Sequence, residues 1–135
     1  MTRYMLDTNT VSHLLRKHPA VARRVVAVPI GDLCISAITQ GELLFGLARR
    51  PDATTLHGAV REFLRRVDVL PWDAATSEVY GTVRAVAQRA GRVLAPLDLL
   101  IGSHALSVEA ILVTNDVAFG QLPGLAIEDW TAESR

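Results

Sequence analysis

Short apolar runs, each cut off by a polar or turn residue, alternate along this chain with longer stretches whose apolar positions recur every three or four residues. The first run, Arg3–Leu6, is apolar at its centre and stops at Asp7-Thr8-Asn9, which predicts a buried strand and then a capped helix over Val11–Lys17. Pro19 opens a second helix with Val21, Val25 and Val28 inward, and Pro29-Ile30-Gly31-Asp32 reads as a turn. Leu33–Ser36 is a second strand, with Ser36 placed to cap a helix over Ala37–Arg50 that carries Ile38, Glu42 and Phe45 on one side. Arg49-Arg50 supplies the basic charge a helix C-terminus prefers, and Pro51-Asp52 marks the break.

Leu56, Val60, Phe63 and Leu64 predict a helix over Thr54–Arg66, and Val67–Leu70 a short strand. A long helix over Ala74–Ala90 follows, with Val79, Val83, Val86 and Ala90 as its inward stripe. Pro96 begins a helix reaching Ser107, Ile111–Val113 has the composition of a central strand, Pro123-Gly124 is a turn, and Leu125–Ile127 is a last strand. Strands alternating with helices imply right-handed crossovers and a parallel sheet covered on both faces, an α/β fold. There is no repeat, linker or low-complexity segment. At 135 residues the pattern suits one domain, 1–135.

Half of the residues are hydrophobic, which excludes disorder as the organising state. No apolar stretch is long enough to span a bilayer, and the start lacks a secretory layout. Cys34 is the single cysteine; within Leu33-Cys34-Ile35 it reads as a small buried side chain with no disulfide to make, which fits the cytoplasm. Net charge is zero but unevenly placed. Residues 1–92 carry 13 basic against 8 acidic groups, whereas residues 93–135 carry one basic against 6 acidic. A polyanion could approach the first part while acidic groups hold a metal, although arginines on helix exteriors commonly just meet water.

Four carboxylates stand in apolar company: Asp7 after the first strand, Glu42 within Gly41-Glu42-Leu43-Leu44, Asp98 in Leu97-Asp98-Leu99-Leu100, and Asp116 after Ile111–Asn115. Taken singly, Asp7 suits a cap, Asp98 a first-turn anion facing the helix dipole, and Asp116 a turn with Asn115. Glu42 has little local use. Ligands of an open parallel sheet sit beyond the carboxyl ends of its strands, so all four can meet in one crevice. Gathered there they repel one another unless a cation joins them. Oxygen donors favour Mg²⁺ or Mn²⁺, and no zinc pattern is present. Hard ions held this way perform phosphoryl chemistry. Thr8, Asn9, Thr114 and Asn115 are neutral neighbours able to orient water or a phosphate oxygen, or simply to cap and turn. His13, His18, His57 and His104 form no ligand or base set, and His104 reads as packing. Gly41, Gly46 and Gly102 suit close helix contacts, and Trp72 and Trp130 read as core edge.

These motifs in this order, Met5-Leu6-Asp7-Thr8-Asn9, Ser36-x-x-Thr39-x-Gly41-Glu42-Leu43, Leu97-Asp98-x-x-Ile101 and Thr114-Asn115-Asp116, with the tail Leu122–Trp130, resemble PIN-domain ribonucleases of the VapC toxin type. The resemblance spans the whole chain. It implies a PIN-like three-layer α/β/α sandwich with a five-stranded parallel sheet. It also implies a Mg²⁺ or Mn²⁺ site at Asp7, Glu42, Asp98 and Asp116, assisted by Asn9, and endonucleolytic cleavage of RNA, with tRNA a frequent substrate. The partners implied are a second copy in a homodimer and a cognate antitoxin, through which operator DNA is contacted. Val117-Ala118-Phe119 adds no further carboxylate after Asp116, and Gly102 stands where alanine is common. Two other classes compete. An aspartyl-phosphate phosphatase needs an acidic residue two positions after its nucleophile, where this chain has Asn9; a non-catalytic regulatory or binding module of the same fold would have no use for four intact carboxylates.

Overall fold

The computed structural model describes residues 2–132. Its elements run β1 (Tyr4–Leu6), α1 (Thr8–Leu15), α2 (Pro19–Ala27), β2 (Leu33–Ser36), α3 (Ala37–Ala48), α4 (Thr54–Arg66), β3 (Asp68–Leu70), α5 (Ala74–Arg89), α6 (Pro96–Ser107), β4 (Ile111–Val113) and β5 (Ile127–Glu128), with 3-10 turns at Ile30–Asp32 and Val117–Gln121. The five strands form one parallel sheet in the order β3-β2-β1-β4-β5. The chain first builds outward from β1 to β3, then returns to the other side of β1. The strand order therefore reverses between β1 and β4, where an open α/β sheet leaves a crevice at its carboxyl edge.

Side-chain alternation along the strands feeds two cores. Leu6, Leu33, Ile35 and Val113 pack with Val11, Val21, Leu47, Val60 and Trp130 beneath α1 to α4. Met5, Cys34 and Leu112 point the other way, onto Ile101, Ala105, Phe119 and Leu122. Both faces are covered, giving three layers and explaining why the strands read as continuous apolar runs. Burial of Cys34 pushes its thiol up to about 12, with Arg3 lowering and Asp68 raising it; it is a packing group, not a nucleophile. No helix among the described residues is long and apolar enough to cross a membrane.

Several local expectations change. Helix α1 starts at Thr8, not Val11, because the Asp7 side chain already accepts from Thr10 N, and it stops at Leu15 ahead of Lys17, whose φ is 61°. On α3 the buried stripe is Thr39, Leu43 and Leu47; Phe45 is 63% exposed beneath the Arg49 guanidinium. On α5, Thr76 and Ala87 are buried and Val79 and Val83 half-buried, Val83 against the second core, whereas Val86 and Ala90 are exposed, so the expected stripe holds only in its first half. Strand β4 is interior but the central position belongs to β1, and β5 falls at Ile127–Glu128, not Leu125–Ile127. Gly102 is the close contact expected, since a Cβ there would meet Leu122 Cδ1 at 2.6 Å; Gly41 and Gly46 have nothing within 4 Å and make no such contact. Trp130 is buried outright, its Nε1 donating to Glu128 Oε1.

Candidate active site

Each carboxylate is placed by a local feature of the chain. Asp7 ends β1 and caps α1, its Oδ1 accepting from Thr10 N at 2.8 Å while its own N–H donates to the Val113 carbonyl of β4. Thr10 Oγ1 also donates to that carbonyl, so the start of α1 is pinned at the reversal of strand order. Ser36 ends β2 and caps α3 through Ile38 N, and Glu42 follows within that helix. Helix α6 starts at Pro96 after Ala95, which offers no side-chain cap, and Asp98 lies in its first turn. Asp116 follows β4. Its N–H donates to Thr114 Oγ1 and its Oδ1 accepts from Ala118 N, capping the 3-10 turn.

Asp7, Asn9, Glu42 and Asp98 line one crevice of about 240 Å³ together with Thr8, walled by Ala95, Leu97 and Ile101. No basic side chain lines it, and none of the salt bridges among the described residues involves these carboxylates. Thr8 Oγ1 donates to Glu42 Oε1 at 2.7 Å, tying the first turn of α1 to α3. Asp116 stands apart from that lining, on a neighbouring shallow groove with Thr114, Asn115 and Val117. It remains within electrostatic reach. Asp98 is held above the usual carboxylate range first by burial, then by the charges of Asp116, Asp7 and Glu42, in that order.

Among the described residues, no three His, Cys, Asp or Glu side chains stand at metal-ligating spacing. Asp7, Glu42 and Asp116 are each engaged by a hydrogen bond from Thr10, Thr8 or Ala118, and like charges favour separation. The donors are nonetheless of one chemical kind: carboxylate oxygens, with the Asn9 amide beside them and no basic side chain among the described residues of the lining. That set fits a hard divalent ion and no soft one. The fit is of chemistry and neighbourhood. Side-chain rotation is needed to bring the oxygens to coordinating distance.

Of the residues singled out in the sequence, Asp7, Asn9, Glu42 and Asp98 line one crevice, and Asp116 lines the groove beside it. Thr8 was legible only as a cap or a water-orienting group; its bond to Glu42 joins positions thirty-four residues apart and leaves no local signal. Asn115 approaches His13 Nε2 at 3.5 Å, and His13 Nδ1 in turn meets the Arg16 guanidinium, which brings a histidine to the rim without making it a ligand. His104 is fully buried, as a packing residue should be, and bonds to Ser36.

Comparison with known proteins agrees with this geometry. The PIN domain family model matches residues 4–125. The tRNA(fMet)-specific endonuclease VapC of Shigella flexneri is 36% identical over 132 residues, which span 97% of this chain and 100% of that protein. The structure of DNA-bound VapBC from Salmonella typhimurium matches with a TM-score of 0.89 at 33% identity, over 96% of this chain and 99% of that one. VapBC2 from Rickettsia felis, bound to a DNA fragment from its promoter, gives 0.88 at 30% identity, again over 96% and 99%. A family match over most of the chain, joined to full-length relatives, means that this chain belongs to the PIN-domain family, among the VapC-type toxins of toxin–antitoxin systems.

Proposed function

We propose that the chain is a Mg²⁺- or Mn²⁺-dependent endoribonuclease acting as the toxin of a toxin–antitoxin pair. One observation carries this reading: Asp98, pushed upward first by burial in the crevice and then by Asp116, Asp7 and Glu42, has no basic side chain beside it among the described residues that line the site. Asp7, Glu42, Asp98 and Asp116 would hold the ion. When bound, a divalent ion supplies an acidified water and neutralises charge on the phosphodiester in flight.

The chain's own residues do the rest. Thr8 fixes one oxygen of Glu42, leaving the other free to turn toward the crevice. Asp7 spends Oδ1 on the α1 cap and keeps Oδ2 for the ion or its water. Asn9, with no charge to add, directs its amide at a phosphate oxygen or the attacking water. No side chain here needs to act as a covalent nucleophile. RNA is the substrate, and a tRNA is the first to try, since the Shigella flexneri relative is a tRNA(fMet)-specific endonuclease. An antitoxin and DNA are the partners supported by the DNA-bound VapBC neighbours; a homodimer, and operator DNA reached through the antitoxin, complete the proposal.

The test is cleavage of a tRNA pool by purified chain. Cutting is expected with Mg²⁺ or Mn²⁺, is abolished by a chelator and restored by added ion, and falls at least a hundredfold in folded Asp98→Asn or Asp7→Asn. Equal cutting by parent and both variants would refute the assignment.

A further inference from the structure

Ser36 and His104 lie outside the acidic crevice, yet they join the two helices that carry Glu42 and Asp98. Both side chains are fully buried. Ser36 Oγ accepts from Ile38 N at 3.0 Å as the cap of α3, and stands 2.7 Å from His104 Nδ1 on α6. Burial lowers the proton affinity of this imidazole, so the ring is neutral and carries a single N–H. A serine oxygen that already accepts from Ile38 N still has its own proton to give, and Nδ1 is the acceptor within reach. The ring proton therefore belongs on Nε2, and the Pro71 carbonyl favours that proton. Trp72 packs edge-on against the ring, with centroids 5.5 Å apart. The imidazole is thus confined between α6, the cap of α3 and the end of β3.

We infer that the Ser36–His104 hydrogen bond is a positioning device for the acidic crevice, locking the N-terminus of α3 to α6 and so setting Glu42 against Asp98. The inference rests on the reading of the crevice as a metal site. Its lever arms are matched: Glu42 lies six residues beyond Ser36, and Asp98 six before His104, about 9 Å of helix in each case. A shift or rotation of either helix at the bond is carried to its carboxylate through rigid backbone. Thr8 then joins Glu42 to the segment bearing Asp7. Simple packing gives a poor account of this pair. An apolar contact would fill the seam without burying a hydroxyl and an imidazole together in one hydrogen bond. A buried polar pair joined by a hydrogen bond specifies one arrangement of its two helices more sharply than apolar packing does.

The test compares the parent with Ser36→Ala, His104→Leu, their double variant and His104→Asn, which keeps an acceptor near Nδ1. Mn²⁺ affinity is measured by electron paramagnetic resonance without RNA, RNA cleavage kinetics are measured separately, and folding is followed by circular dichroism. Each single change is expected to weaken Mn²⁺ binding about tenfold and to lower kcat in proportion, with KM for RNA unchanged. The double variant should be no worse than either single one, and His104→Asn should recover most of the loss. Folded variants that bind Mn²⁺ like the parent overturn the inference, as do losses that simply add in the double variant. Should His104→Leu fail to fold, Ser36→Ala and His104→Asn decide the matter by the same criteria. A parent that binds no Mn²⁺ defeats the metal reading and this inference with it. A parent that binds the ion, with Asp98→Asn impaired and Ser36→Ala unchanged, defeats the positioning role alone.

Discussion

Asp98 shows how a side chain can be kept at a loss to the fold. Burial and three neighbouring carboxylates raise its proton affinity, so ionising it costs more in the folded chain than in the unfolded one. The folded state binds the proton more tightly, and stability therefore declines as pH rises from the ordinary carboxylate value through the raised one. Without divalent ion, Asp98→Asn is expected to melt about 2 °C higher than the parent at pH 7, a modest figure because the site is open to solvent. The gain should vanish below about pH 4, where both carry a neutral group. Calorimetry at the two pH values checks this, and a variant that melts lower at pH 7 would assign Asp98 a structural role instead. Gly102 works in the opposite sense. Alanine there gains about 1 kcal/mol of helix propensity, but its Cβ meets Leu122 Cδ1 at 2.6 Å inside a filled core, and overpacking costs about 1–3 kcal/mol. Packing wins. Urea titration should find Gly102→Ala about 1 kcal/mol less stable, and a more stable protein would show that Leu122 yields freely.

Helix ends were legible wherever covalent chemistry marked them. Helix α6 begins at Pro96, and α3 begins directly after its Ser36 cap, as those residues predict. Helix faces were less legible. Helix α6 buries Ile101, Gly102, Ser103, His104 and Ala105 in succession, so no stripe could announce its inner side, and α5 turns Thr76 and Ala87 inward. Gly81, by contrast, sits on the exposed side of α5 with nothing within 4 Å of a built Cβ. Gly81→Ala is expected to stabilise the chain by about 0.5–1 kcal/mol in urea, and destabilisation would place an unseen contact there. The seam between α3 and α6 carries a pH dependence of its own. His104 is depressed first by burial, with Asp73 and the Pro71 carbonyl opposing, and its folded value lies below the ordinary 6.5. The unfolded chain binds that proton more readily, so the contribution of neutral His104 is intact above pH 6.5 and is lost as pH falls through the folded value. Melting temperatures from pH 7.5 to 5 should fall more steeply for the parent than for His104→Asn; parallel curves would contradict this.

At the scale of the whole molecule, the place of the candidate site was legible because strand ends are sequence features. Asp7 terminates β1 and Asp116 follows β4, the two strands that flank the reversal of strand order, so two acidic groups come to the carboxyl edge of the sheet by topology alone. Glu42 and Asp98 arrive by helix placement, and the long-range bonds that hold them, Thr8 to Glu42 and Ser36 to His104, left no trace in periodicity. The position of Asp116 on the adjacent groove was likewise invisible, since one turn of backbone decides which side of the rim it faces. Gathering these oxygens around one ion is the central claim. Its most direct measurement is the anomalous scattering of Mn²⁺ in soaked crystals of the parent. The account predicts a peak at the carboxyl edge of β1 and β4, within coordinating distance of carboxylates from Asp7 and Asp98 and reached by Glu42 or Asp116. A Mn²⁺-saturated crystal with no peak in that crevice would contradict it.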